Sequence, residues 1–383
     1  MWYYRKAKAA ELALLLQWLR KELEDLSVTR PDQTTSVRHL LDEFAKVDQS
    51  FRLVTAVLSL NDETFAVAVD GLLQSIHRYI VITGTHYLSP LRRQGPFDLT
   101  MRRVLLNTCG RFRLRWIEDI VVCLDRPLAL LPIYRGLDSI PVFYGPPNLL
   151  ETVLELPGVY HELGHNAFAR DETYRRELQQ VVTQHFTTAK HLAGPMPAAQ
   201  KAERDKELDA AARSWNEARL AEVFCDLFAE YVCGAANYGS IVEMAIMGAA
   251  NPYLMHSPRH PPEAARVRLA YFALLDAQKQ NATVENIRDA WRTFSGKFTS
   301  DLRFRHSCSD ELLTALASRA MALLEERLPE LPRYLSSLPS LAAARAIGAG
   351  VTLEQVINAG VTILFEAPDE FSHWQQQAKA IIS

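Results

Sequence analysis

The sequence predicts a mainly α protein with a small mixed β-sheet, an α+β class with helical regions at both ends. Three observations carry this. Apolar residues recur at helical spacing over the first 50 residues, β-rich pieces cluster between residues 51 and 144, and a helical period then runs to the C-terminus.

In chain order, Leu12, Leu15, Leu16 and Leu19, then Leu40, Leu41 and Phe44, read as helical runs separated by Pro31. Phe51–Val57, Thr64–Val69 and Tyr79–Thr83 read as strands, with Asn61-Asp62 as a turn. Residues 99–110 read as a helix, and Ile120–Leu124 and Ile140–Tyr144 as strands. Pro157 suits the first turn of a helix ending near Arg170. Further helices are expected over 172–191, 200–233, 262–278, 283–297 and 309–327, with shorter patches at 340–347 and 367–381. The predicted division is an α/β region over 1–95, a core over 96–278 and a helical region over 279–383.

At 383 residues there is room for two or three domains. Hydrophobic residues at 48% and charged ones at 23% are ordinary for a folded chain, and a net charge of −3 gives no reason to expect a nucleic-acid partner. Five cysteines without a CxxC spacing argue against a disulfide framework and against a thiolate zinc site, leaving Cys225 and Cys233 as small buried apolar residues. The N-terminal segment lacks an apolar signal region, and no stretch reaches about 18 uncharged apolar residues. The expectation is a cytoplasmic protein without a membrane span.

His161-Glu162-Leu163-Gly164-His165 is an HExxH motif. Residues i and i+4 share one helix face, so both imidazoles can bind one metal ion. Zinc suits such ligands, and a catalytic site uses three protein ligands and keeps a position for water. Glu162 stands one residue round the helix, placed to take a proton from that water as general base. With 11 histidines in 383 residues, a chance HExxH is expected on the order of one time in fifty. Leu163, Ala167 and Phe168 interleave with the histidines, so the helix is partly buried, where an unsatisfied Glu or His would be costly.

A third ligand is expected from a later helix. In 218–232, acidic residues recur every four positions among apolar ones, which makes Glu222 the candidate ligand. Asp226, one turn on, can accept a hydrogen bond from a ligand imidazole and fix its tautomer. His185 and His191 compete for the ligand role. In Arg259-His260-Pro261-Pro262-Glu263-Ala264-Ala265-Arg266, two prolines start a helix and hold His260 at its mouth. A His or Tyr there could stabilise an oxyanion, with His260, His256, Tyr238 and Tyr253 as candidates.

HExxH, ExxxD and HPPxxxR together resemble the gluzincin metallopeptidases of the HtpX and CAAX-prenyl-protease group. The resemblance spans roughly residues 100–275 and implies a zincin-like core. It implies His161, His165 and Glu222 as zinc ligands, Glu162 as base and Asp226 behind a ligand imidazole. It also implies that Val142, Phe143 and Tyr144 form an edge strand to which an extended peptide adds by main-chain hydrogen bonds. Members of that group often carry membrane helices, so membrane proteolysis and prenylated substrates do not transfer to this chain.

The leading expectation is therefore a zinc peptidase with one Zn2+ per chain, acting on a protein or peptide. The alternatives are a zinc hydrolase with a non-peptide substrate, and a non-catalytic module braced by zinc. In the last case the helical flanks would bind a regulatory partner.

Overall fold

The computed structural model describes residues 2–111, 114, 116–125, 128–131, 139–146, 149, 155–192, 194, 196–248, 250–255, 257–300, 302–328, 338–348 and 350–382. The chain forms two compact units, Met1–Pro147 and Asn148–Ser383, rather than dividing near residues 95 and 278. The predicted class holds: helices dominate, with one small mixed sheet.

The first unit opens with α1 (Trp2–Thr29), α2 (Thr34–Leu60) and α3 (Ala66–Ile82). A π-helical stretch, Thr83–Leu88, leads on into α4 (Ser89–Arg93), and α5 (Pro96–Arg111) follows. Short connections fold α1, α2 and α3 back on one another. Trp2 Nε1 donates to the Leu58 carbonyl at 3.3 Å, and Arg5 grips Asp70 with bonds of 2.8 and 2.7 Å. The strands expected at Phe51–Val57, Thr64–Val69 and Tyr79–Thr83 do not form; these residues are helical, so 1–95 is not an α/β region. Buried Val54 and Leu58, and Val69, Leu73, Ile76 and Ile80, recur at intervals of three and four. That spacing places them on one helix face, and burial of the face outweighs the strand preference of the β-branched residues.

The helical run Glu63–Arg93 contains an 18-residue stretch of mean hydropathy 1.3, of which 28% is buried; by length and composition it is apolar enough to cross a membrane. Asp70 and Arg78 interrupt that stretch, and Val69, Leu73, Ile76 and Ile80 turn inward to the bundle core.

The sheet of this unit comprises β1 (Val121–Cys123), β2 (Ala129–Leu131) and β3 (Val142–Tyr144) in the order β1-β3-β2. β3 is therefore the central strand, parallel to β1 and antiparallel to β2. Val142, Phe143 and Tyr144 are all buried. This corrects the edge-strand expectation: main-chain groups on both sides of β3 already pair within the sheet, so a peptide cannot add there.

The second unit contains α6 (Pro157–Arg170), α7 (Glu172–His191), α8 (Ala198–Ser214), α9 (Glu217–Cys233), α10 (Ala235–Met247) and α11 (Glu263–Ala273). After these come α12 (Asp276–Lys279), α13 (Ala282–Ser295), α14 (Leu302–Ser307), α15 (Asp310–Arg327), α16 (Leu341–Arg345), α17 (Leu353–Glu366) and α18 (Phe371–Ile382). The expected helix over 200–233 breaks into α8 and α9 at Trp215-Asn216, where the Asn216 side chain caps α9 by accepting from the Arg219 N–H. Gly234 turns the chain from α9 into α10 at φ 60°, a left-handed conformation that glycine adopts without a Cβ penalty.

The C-terminal helices are not a detachable flank. α17 buries Val356, Ile357, Val361 and Ile363. Tyr160 on α6 donates to buried Glu354 at 2.6 Å, and Asn358 Nδ2 donates to the Cys233 carbonyl at 2.9 Å. One helix thereby holds both the start of α6 and the end of α9.

Candidate metal centre

Two antiparallel helices build the site. Pro157 starts α6 and the four-residue spacing places His161 and His165 on one face, their ring centroids 4.9 Å apart and their planes at 80°. α9 is buried along its length, so Glu222 and Asp226 do not belong to a solvated acidic edge. Gly164 sets the approach of the two helices. A methyl group there would lie 3.0 Å from the Cys225 Cα and 3.2 Å from the Phe228 Cβ.

The donor atoms converge. Glu222 Oε2 lies 3.3 Å from His161 Nε2, and Glu222 Oε1 lies 3.6 Å from His165 Nε2. Charge-assisted hydrogen bonds are shorter, about 2.7–2.9 Å. Ligands bound at about 2.0–2.1 Å around one tetrahedral ion stand about 3.3–3.4 Å apart. The two histidine nitrogens thus face different oxygens of one carboxylate, one at the edge length of such a tetrahedron and the other slightly beyond it.

Behind His161 the outward ring nitrogen is fixed. Its Nδ1 lies 2.9 Å from Asp226 Oδ1, and Arg266 donates to the same carboxylate through Nε at 2.8 Å and Nη2 at 2.9 Å. Burial works against the Asp226 carboxylate, yet Arg266 and His161 hold it well below the usual range. Asp226 therefore stays an acceptor, which makes Nδ1 a protonated nitrogen of His161. Burial works against a charged ring, but the hydrogen bonds to Asp226 and Glu222 outweigh it and raise the imidazole's pKa to about 9, with Nε2 turned toward Glu222. Burial also opposes ionisation of Glu222, but His161 and the other two histidines keep that carboxyl below its ordinary value. His165 is pushed down to about 4, by burial first and then by His161, so its imidazole stays neutral and able to ligate.

A second possible ligand set shares both histidines. One ligand atom each from His161, His165 and Cys225 lie within 4.8 Å of one another, and this group could hold a metal ion. Cys225 is fully buried in the α6–α9 contact. Burial pushes its thiol well above the ordinary value, and Glu222, Asp226 and Glu162 push it further. A bound ion would itself deprotonate a coordinating thiol, so substitution rather than burial tells the Glu222 and Cys225 sets apart.

Glu162 is half-buried beside His161 and about 100° round the helix from it. His260 reaches the site from the connection between α10 and α11. Its Nδ1 lies 3.2 Å from Glu222 Oε2, and half of its side chain is exposed.

The competing histidines lie in other surroundings: His185 faces Ser309 at 3.5 Å, and His191 ends α7. Tyr238 packs against Tyr271 and Tyr253 against Phe304, while His256 lies outside the described residues. Sequence reasoning found the HPPxxxR run but missed what Arg266 does. The available signal was an arginine six residues after a helix-starting histidine, in a chain whose ExxxD acid needed a cation. No family model, curated protein or solved structure matches this chain.

Proposed function

We propose that the chain is a zinc-dependent hydrolase of the gluzincin type, and most concretely a peptidase. The observation that carries this is the convergence of His161 Nε2 and His165 Nε2 on the Glu222 carboxylate, 3.3 Å from one oxygen and 3.6 Å from the other. Two imidazoles and a carboxylate form a donor set that suits zinc. When bound, zinc lowers the pKa of a water to about 7 and polarises a carbonyl.

The chain's own residues supply the rest. Asp226 fixes the His161 tautomer and Arg266 keeps Asp226 ionised. Glu162 accepts the proton from the attacking water and returns it to the leaving group. His260, at the half-exposed mouth of the site, donates to the developing oxyanion.

The paired state of β3 favours a second reading. Without a free edge at Val142–Tyr144 the peptide-presenting strand is lost, so a hydrolase of another acyl substrate fits the same metal site.

Metal content and hydrolysis by wild type and Glu162→Gln test the proposal. Wild type should carry about one zinc per chain and hydrolyse a peptide or ester panel. Glu162→Gln should keep its metal and lose roughly 10²–10⁴-fold in rate. Full activity in the zinc-loaded variant would remove Glu162 from the mechanism. A wild-type chain that takes up no zinc would remove the hydrolase.

A further inference from the structure

Along one face of α9, four residues spaced three, three and four apart engage four points of the segment 257–266. Asn216 Nδ2 donates to the Pro258 carbonyl at 3.1 Å, and Arg219 Nη2 to the Ser257 carbonyl at 2.8 Å. Glu222 meets His260 at 3.2 Å, and Asp226 takes Arg266. The last two contacts belong to the metal centre. The first two have no role in it, yet they lie one and two turns before Glu222 on the same face.

Arg219 needs an explanation. It is 5% exposed, and no acidic side chain pairs with it among the described residues. Its Nε has no hydrogen-bond partner among the described residues. Burying a cation without a counter-charge is costly, and burial depresses this guanidinium's pKa. What it does hold is the backbone that leads into His260. Ser257, whose carbonyl Arg219 fixes, closes a turn by accepting from the Arg259 and His260 N–H groups through its Oγ, both at 3.1 Å. Pro261 and Pro262 follow and stiffen the far side. His260 is thus anchored on the α9 side by Asn216 and Arg219, and by α11 beyond.

We infer that Asn216 and Arg219 are positioning residues that set His260 at the mouth of the metal site. The inference rests on the hydrolase reading and adds to it the device that aims an otherwise half-exposed imidazole. Without these two bonds the 257–260 turn loses its anchors on α9 other than the His260–Glu222 contact itself, which lets His260 swing toward solvent while His161, His165 and Glu222 stay in place.

Cobalt(II) substituted for zinc tests this directly, because the paramagnetic shift of the His260 ring protons falls steeply with distance from the metal. Three variants are compared with wild type. Arg219→Met fills the same volume without the donor, and Arg219→Lys keeps a cationic donor. Asn216→Ser keeps an oxygen to cap α9 but removes the amide that holds Pro258. Arg219→Met and Asn216→Ser should each collapse the His260 shift while the signals of His161 and His165 persist, and Arg219→Lys should restore part of it. With fluorescein-labelled casein as substrate, kcat should fall on the order of 10–100-fold with KM little changed. Arg219→Met should add nothing further in a His260→Ala background. An unmoved His260 shift in a cobalt-loaded Arg219→Met protein overturns the inference. A wild-type chain that takes up no cobalt overturns instead the metal site on which it rests.

Discussion

Arg266 holds both oxygens of Asp226, through Nε at 2.8 Å and Nη2 at 2.9 Å, while the same carboxylate meets His161 Nδ1 at 2.9 Å. The side chains of Asp226 and Arg266 are only 3% and 13% exposed. Breaking such a buried pair leaves a bare charge in the interior. Arg266→Met should therefore cost about 3–5 kcal/mol of unfolding free energy. Asp226→Asn combined with Arg266→Met should recover part of it, since neither charge is then stranded. Urea unfolding of the single and double variants measures this. Equal stability of Arg266→Met and wild type would mean that the pair does not hold the site.

The α6–α9 contact at Gly164 gives a second expectation. A methyl group 3.0 Å from the Cys225 Cα meets backbone, which cannot swing aside. Gly164→Ala should push the helices apart, at a cost of about 1–3 kcal/mol, and should weaken metal binding because the ligands sit on opposite sides of that contact. Gly71→Ala is the control. It lies within α3 with nothing within 4 Å of the added methyl group, and should stabilise by about 0.4–1 kcal/mol. Thermal melts and metal titrations of the two variants separate backbone approach from helix propensity. A Gly164→Ala protein with wild-type stability and affinity would show that the contact is slack.

How far the sequence foretold these features depended on the physics behind each. The four-residue spacings of His161 to His165 and Glu222 to Asp226 are helix geometry, so a linear string shows them directly. The partner of Asp226 is less visible, because Arg266 stands 40 positions further along the chain and nothing between them hints at the packing that joins them. In α2 and α3 the β-branched composition points to strands, but the three-and-four spacing of Val69, Leu73, Ile76 and Ile80 decides for helix because that face is buried. α10 carries no such mark in the sequence, because Ala235 to Val242 are buried on every side and leave no solvated face to set a period. The edge position of β3 is what the family resemblance implies, and β2, only three residues long, has too little alternation in the sequence to correct it.

The third metal ligand is the last expectation, and the one on which the identity of the ion turns. Glu222 and Cys225 are three residues apart on α9 and both approach His161 and His165, so the two donor sets can be told apart by substitution. A carboxylate with two imidazoles is the donor set of open catalytic zinc sites and also of non-haem iron(II) sites, whereas a thiolate shifts preference toward softer ions. The Glu222 carboxyl is held below its ordinary pKa and turns toward both histidines, while the Cys225 thiol is fully buried. Glu222→Ala should therefore lose stoichiometric zinc, as His161→Ala and His165→Ala should, while Cys225→Ala keeps it. Cys225→Ala also removes little volume from the Gly164 contact, so the fold should tolerate it. Zinc content by elemental analysis after dialysis, with circular dichroism to confirm folding, reads the outcome. Zinc retained in Glu222→Ala but lost from a folded Cys225→Ala would reverse the assignment. The Glu222 carboxylate would then be the group beside the ion rather than on it.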